Sequence, residues 1–150
     1  MGHTFSKHLY HVVFSTKGRE RWLAASVRPR LFDYMAGIVQ RAEARLLSLG
    51  GTEDHVHALI ELRPDSSVSD FVRTLKANSS RWLRRAVPGF GGFAWQAGYS
   101  SFSVSRSAAQ RIAAYVNDQP AHHRKRDFGA ELARLLSRHG IEFDPDHYLD

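Results

Sequence analysis

The chain of 150 residues contains no cysteine, which excludes disulfides, thiolate metal sites and cysteine nucleophiles. Any metal it holds must be bound through nitrogen and oxygen. No apolar run reaches bilayer-spanning length, and no basic, apolar, small-residue leader opens the chain. The expectation is a soluble, cytoplasmic protein with no membrane partner. Internal repeats, low-complexity tracts and interdomain linkers are also absent, so one domain over residues 1–150 is expected. Acidic side chains are in deficit: 15 Asp and Glu stand against 21 Lys and Arg, a formal net charge of +6. That balance points to a polyanionic partner, nucleic acid before membrane. With 43% hydrophobic residues, the chain has the means to bury a real core.

Residues 9–16, rich in β-branched and aromatic side chains, read as a first strand, followed by the basic turn Lys17-Gly18-Arg19. Apolar spacing through Leu31, Tyr34, Met35, Ile38, Val39 and Ala42 predicts a helix over 28–45. A short second strand, 46–49, turns at Gly50-Gly51 into a third, 54–62. Ser67 with Asp70 opens a second helix whose buried stripe runs Val68, Phe71, Val72, Leu75, Trp82 and Leu83. Residues 99–105 read as a fourth strand. A third helix, capped by Ser107 with Gln110, carries Ile112, Tyr115 and Val116, and a last helix over 128–139 ends at Gly140. The order β-α-β-β-α-β plus two C-terminal helices predicts an α+β fold, a ferredoxin-like or RRM-like sandwich with a four-stranded antiparallel sheet. Its first and third strands would be central.

The chemistry concentrates in two pairs. His55-Val56-His57 lies in the third strand, where alternate side chains share a face, so the imidazoles project together with Cα atoms roughly 6–7 Å apart. That spacing suits chelation of one divalent ion. With nine histidines in the chain, a His-x-His arises by chance in roughly half of such sequences, so the surroundings decide its weight. Alternation puts the pair with Leu59 and Glu61, opposite the core set Val56, Ala58, Ile60 and Leu62. The histidines are therefore expected on the face that the first two helices leave open. The second pair, Tyr115 and Gln119, is four apart in a helical stretch and offers a phenol and an amide on one side. Pro120 ends or kinks that helix at the glutamine. A metal site plus a phenol equips a protein for nucleophilic attack on a phosphodiester.

Candidate DNA contacts are Arg73, Lys76, Arg81, Arg84 and Arg85 on the polar side of the second helix, and Arg124 and Lys125 after the tyrosine helix. Trp22 and Trp95 are candidates for base stacking or for the core.

Taken together, these motifs resemble the small single-tyrosine HUH transposases of bacterial insertion sequences. The likeness runs from Tyr10-His11-Val12-Val13-Phe14 through His55-Val56-His57, Val68-Ser69-Asp70-Phe71-Val72, Trp95-Gln96-Ala97-Gly98-Tyr99 and Tyr115-Val116-Asn117-Asp118-Gln119 to Arg138-His139-Gly140-Ile141-Glu142. The resemblance implies a transposase that cuts single-stranded DNA at hairpin-marked element ends and rejoins it. It implies Tyr115 as nucleophile, forming a 5′-phosphotyrosine, and His55, His57 and Gln119 as ligands of Mg²⁺ or Mn²⁺. It further implies a homodimer in which the tyrosine helix of one subunit can serve the histidine pair of the other. The alternatives are a non-catalytic nucleic-acid-binding relative and a host-domesticated one acting on palindromic repeats.

Overall fold

A computed structural model describes residues 2–123 and 127–150. Four strands, β1 (Leu9–Ser15), β2 (Arg45–Gly51), β3 (His55–Glu61) and β4 (Ser100–Val104), form one sheet in the order β2-β3-β1-β4. Every neighbouring pair is antiparallel. The helices are α1 (Arg28–Arg41), α2 (Val68–Ala86), α3 (Ala109–Asn117), the single turn α4 (Gln119–His122) and α5 (Phe128–Arg138). This is the expected α+β sandwich, with β1 and β3 in the centre.

Alternation along the two central strands decides what each face becomes. Val12, Phe14, Val56, Ala58 and Ile60 point to one side and pack under α1 and α2, joined by Leu31, Met35, Val72 and Leu75. Leu9, His11 and Val13 of β1, with His55, His57 and Leu59 of β3, occupy the other side. Register sets Val13 opposite His57 and His11 opposite Leu59, so His11 is the diagonal neighbour of His57.

That second face is not open. Phe128, Leu132 and Leu136 of α5 pack on Val13 and Phe102 over β1 and β4. Ala109 and Ile112 of α3 lie against Leu9 and Leu59. Between the two helices His55 and His57 are fully buried. The close seating of α3 depends on Gly50, where an added Cβ would fall 1.9 Å from the Val116 carbonyl oxygen. Ser48 secures the same contact, donating to the Ala113 carbonyl at 2.9 Å and pairing with Asn117 Oδ1 at 2.7 Å.

Several local expectations need correction. Gly50 and Gly51 belong to β2, and the turn falls at residues 52–54. Helix α1 stops at Arg41, and Glu43, at φ 57, breaks it. Ser107 caps nothing: its hydroxyl meets that of Ser105, and a 3₁₀ turn over Arg106–Ala108 leads into α3. Ser67 does cap α2, accepting from the Asp70 amide. Trp95 belongs to the core, its indole donating to Ser79 Oγ at 3.0 Å, and Trp22 packs on Phe90 and Phe93. Among the described residues, no helix is long and apolar enough to cross a membrane.

Candidate active site

Strand β3 delivers the two imidazoles and α5 delivers a carboxylate above them. Glu131, in the first turn of α5, is buried, and its Oε1 lies 2.9 Å from His57 Nε2 and 3.4 Å from His55 Nε2. Ligand atoms of His55, His57 and Glu131 all lie within 4.8 Å of one another. Gln119 is also buried, and its Oε1 sits 3.0 Å from His55 Nε2. The break forced by Pro120 comes before the glutamine: α3 ends at Asn117, and Gln119 begins the short turn α4. The side chain thus still reaches the histidines.

Each histidine is held from behind by a different group. His55 Nδ1 donates to Asp54 Oδ1 at 2.7 Å, with Thr52 Oγ1 at 2.9 Å. Burial alone would drive the proton off His55, but bonds to Asp54, Glu131 and Gln119 outweigh it and raise its pKa to about 9. His57 Nδ1 shares a 2.7 Å hydrogen bond with His11 Nε2 instead. Burial dominates there, lowering His57 to about 4 and His11 to about 3. A neutral His57 carries one proton, so donation to Glu131 requires that His11 donate to His57. Burial also opposes charge on Glu131, yet the imidazoles of His123, His55 and His57 around it hold it well below the usual carboxylate range.

The phenol joins the same carboxylate. Tyr115, half-buried on α3, donates its hydroxyl hydrogen to Glu131 Oε2. Its ring stands edge-on to His57, centroids 5.9 Å apart, and packs against His122 at 4.5 Å. One carboxylate therefore spans the histidine pair and the phenol, all within one chain.

Do these residues suit a divalent ion? The donors are imidazole nitrogen and carboxylate or amide oxygen, a set fitting Mn²⁺, Mg²⁺ or Zn²⁺. His123 adds an independent sign. Its Nε2 is buried and lies 3.1 Å from Glu131 Oε1, yet out of line for a hydrogen bond, leaving a polar atom without a hydrogen-bond partner aimed into the cluster. A cation at that point would satisfy it. The buried His55, His57 and Glu131 group is consistent with a metal site.

Comparison with known proteins shows the family of this chain. A family model described as "Transposase IS200 like" matches residues 4–119. This chain belongs to the IS200-like transposase family. Membership implies nuclease activity. The ISDra2 transposase TnpA of Deinococcus radiodurans is 29% identical over 115 residues, 73% of this chain and 82% of the relative. The IS200 transposase of Salmonella typhimurium is 31% identical over 83 residues, 55% of either chain. Among solved structures, a candidate transposase from Deinococcus radiodurans superposes with a TM-score of 0.64 at 30% identity, covering 79% of this chain and 96% of that one. A REP-associated tyrosine transposase bound to a REP hairpin shares the fold at a TM-score of 0.62 and 13% identity, covering 82% and 73%.

The remaining predicted residues fall elsewhere. Arg73, Arg81, Arg84 and Arg85 are exposed on α2, across the sheet from the histidines. Several have internal partners: Arg73 with Asp70 Oδ1 at 2.7 Å, Arg81 with Asn78 Oδ1 at 3.1 Å. Lys76 is half-buried, its ammonium donating to the carbonyls of Gln96, Ala97 and Gly98. Arg124 and Lys125 lie outside the described residues. Sequence reasoning missed Glu131, Asp54, His11 and His123. The position of Asp54 beside His55 was the clearest available cue, and β1–β3 register would have found His11. Nothing local marks Glu131, which lies 74 residues from His57.

Proposed function

We propose that this protein is a single-strand DNA transposase that cuts and rejoins element ends through a phosphotyrosine at Tyr115. The observation carrying this reading is the convergence of His55, His57 and the Tyr115 hydroxyl on one buried carboxylate, Glu131. His55, His57 and Glu131 would hold a divalent ion, with Gln119 and His123 at its margin. Bound there, Mn²⁺ or Mg²⁺ supplies Lewis-acid polarisation of the scissile phosphate and stabilises charge in the transition state.

The chain's own groups supply the rest. Tyr115 Oη releases its proton to solvent as it attacks phosphorus, the P–O3′ bond breaks, and the protein becomes joined to the 5′ side while the 3′ oxygen leaves and takes up a proton from solvent, so none is gained or lost overall. An ordinary phenol, with a pKa of about 10, is a poor nucleophile and needs this help. Glu131 accepts the phenol's hydrogen bond and fixes its oxygen. Surrounding imidazoles stabilise the carboxylate as an anion, so it positions the phenol more than it stores the proton. Because the phosphodiester energy is kept in the phosphotyrosine, a 3′-hydroxyl from another end reverses the step without ATP.

The phenol and the histidines meet within one chain, which supports assembly of each site in cis. In a homodimer, two such sites would serve two DNA ends. We assign the exposed arginines of α2 to hairpin DNA, a role that the fold neighbour with a bound REP hairpin makes natural. The reaction would run on DNA in the cytoplasm.

The test is incubation with single-stranded DNA from the flanks of the coding region and Mn²⁺, followed by denaturing electrophoresis. A covalent protein–DNA adduct is expected with the wild type and none with Tyr115→Phe. An adduct that persists in that variant overturns the choice of nucleophile.

A further inference from the structure

A strand attacked by Tyr115 needs a way in, and the fold restricts where that is. His55 and His57 have no exposed surface, and α1 and α2 seal the far side of the sheet. A cleft of about 620 Å³ opens between α3 and α5, with Tyr115, His11 and Glu131 in its wall. Helical spacing makes its two sides. Arg111, Ile112 and Tyr115 share one face of α3, and Glu131, Arg134, Leu135 and Arg138 share one face of α5. Both helices thus turn arginine toward the gap that leads to the phenol, Arg111 from α3 and Arg134 and Arg138 from α5.

The three arginines also differ from Arg73 and Lys76 of α2. Arg111, Arg134 and Arg138 are exposed, and none forms an ion pair among the described residues. On α2, by contrast, Arg73 is paired with Asp70 and Lys76 is bound to three carbonyls. A guanidinium without an internal partner has its forked donors available for phosphate oxygens. Ile112 and Leu135 give the cleft apolar wall, and the His122 ring against Tyr115 gives it a flat one on which a base can stack.

We propose that the α3–α5 cleft is the channel for the scissile strand, with the backbone of single-stranded DNA held by Arg111, Arg134 and Arg138. Hairpin and scissile strand would then bind on opposite sides of the sheet. This inference rests on the transposase reading, and the experiment separates the two.

Oligothymidine binding is measured by fluorescence anisotropy across a salt series, without metal, for the Tyr115→Phe protein and its R111Q and R134Q/R138Q derivatives. Each lost phosphate contact should lower the slope of log affinity against log salt by about 0.7, so by about 1.4 for the pair. The double variant R30Q/R41Q, on α1, removes the same charge and should leave the slope at the parent value. With Tyr115 restored and flanking-strand DNA at saturation, R134Q/R138Q should form adduct at least tenfold more slowly, with Mn²⁺ affinity by calorimetry unchanged. Slopes for the cleft variants equal to that of R30Q/R41Q overturn the channel, even if the wild type forms adduct. Lowered slopes with no adduct from the wild type uphold the channel and refute the transposase reading.

Discussion

The two faces of the sheet are built from the same two strands and have opposite characters. Under α1 and α2 lie Val12, Phe14, Val56, Ala58 and Ile60, an interior built mainly of apolar side chains. Under α3 and α5 lie His11, His55, His57, Gln119 and Glu131, all buried and linked by hydrogen bonds. Burying so many polar groups costs stability unless each finds a partner, so the second face depends on hydrogen-bond satisfaction as well as on the apolar contacts of Phe128, Leu132 and Leu136. One face makes the protein stable, and the other makes it chemically capable.

Substitutions on the two faces should therefore separate stability from cation binding. The largest effect is expected from Phe14→Ala, which empties a fully buried site edge-on to Trp95. It should cost about 3–5 kcal/mol in urea unfolding and, where the protein remains folded, leave Mn²⁺ affinity near wild type. Asp54→Asn and His11→Phe act on the other face, removing the groups that orient His55 and His57. Each should weaken Mn²⁺ binding by about 10–100-fold in calorimetry. If either changes unfolding free energy as much as Phe14→Ala does, the division between the faces fails.

Gly50→Ala tests the joint between them. Its methyl would press on the Val116 carbonyl, forcing α3 outward and carrying Tyr115 away from Glu131. A loss of about 1–3 kcal/mol is expected, together with slower adduct formation. Normal stability and normal adduct rates would show that α3 needs no such close approach. The smallest effect concerns pH. A proton on His55, whose pKa is raised to about 9, competes with any cation at Nε2. Mn²⁺ affinity should rise with pH and level off above that value, with proton release on binding. An affinity that falls as pH rises would contradict the assignment of His55.

The asymmetry between the faces also governed what could be read from the chain. The apolar face announced itself through alternation in β1 and β3 and through the stripes of α1 and α2, so the element order and the sandwich followed. His55 and His57 were legible because a strand fixes the direction of residues two apart. Tyr115 and Gln119 were legible as a helical pair, and the structure brings both to the histidines. Glu131 and His123 were not, because no local period connects them to β3. Their positions depend on how α5 lies over β1 and β4, set by Phe128, Leu132 and Leu136. The same docking buries the face expected to be open. Both C-terminal helices were counted in the element order, and the third helix could be expected to reach that face, but nothing in the sequence said that α5 would also lie over it.

The most direct test of convergence is proximity between a bound ion and the phenol, read by nuclear magnetic resonance on protein with isotope-labelled tyrosine rings as Mn²⁺ is added. The ring signal assigned to Tyr115, by its absence in Tyr115→Phe, should broaden beyond detection at one equivalent of Mn²⁺, while that of Tyr34, on α1 across the sheet, remains sharp. A Tyr115 signal left sharp by bound Mn²⁺ would contradict a shared site for cation and nucleophile.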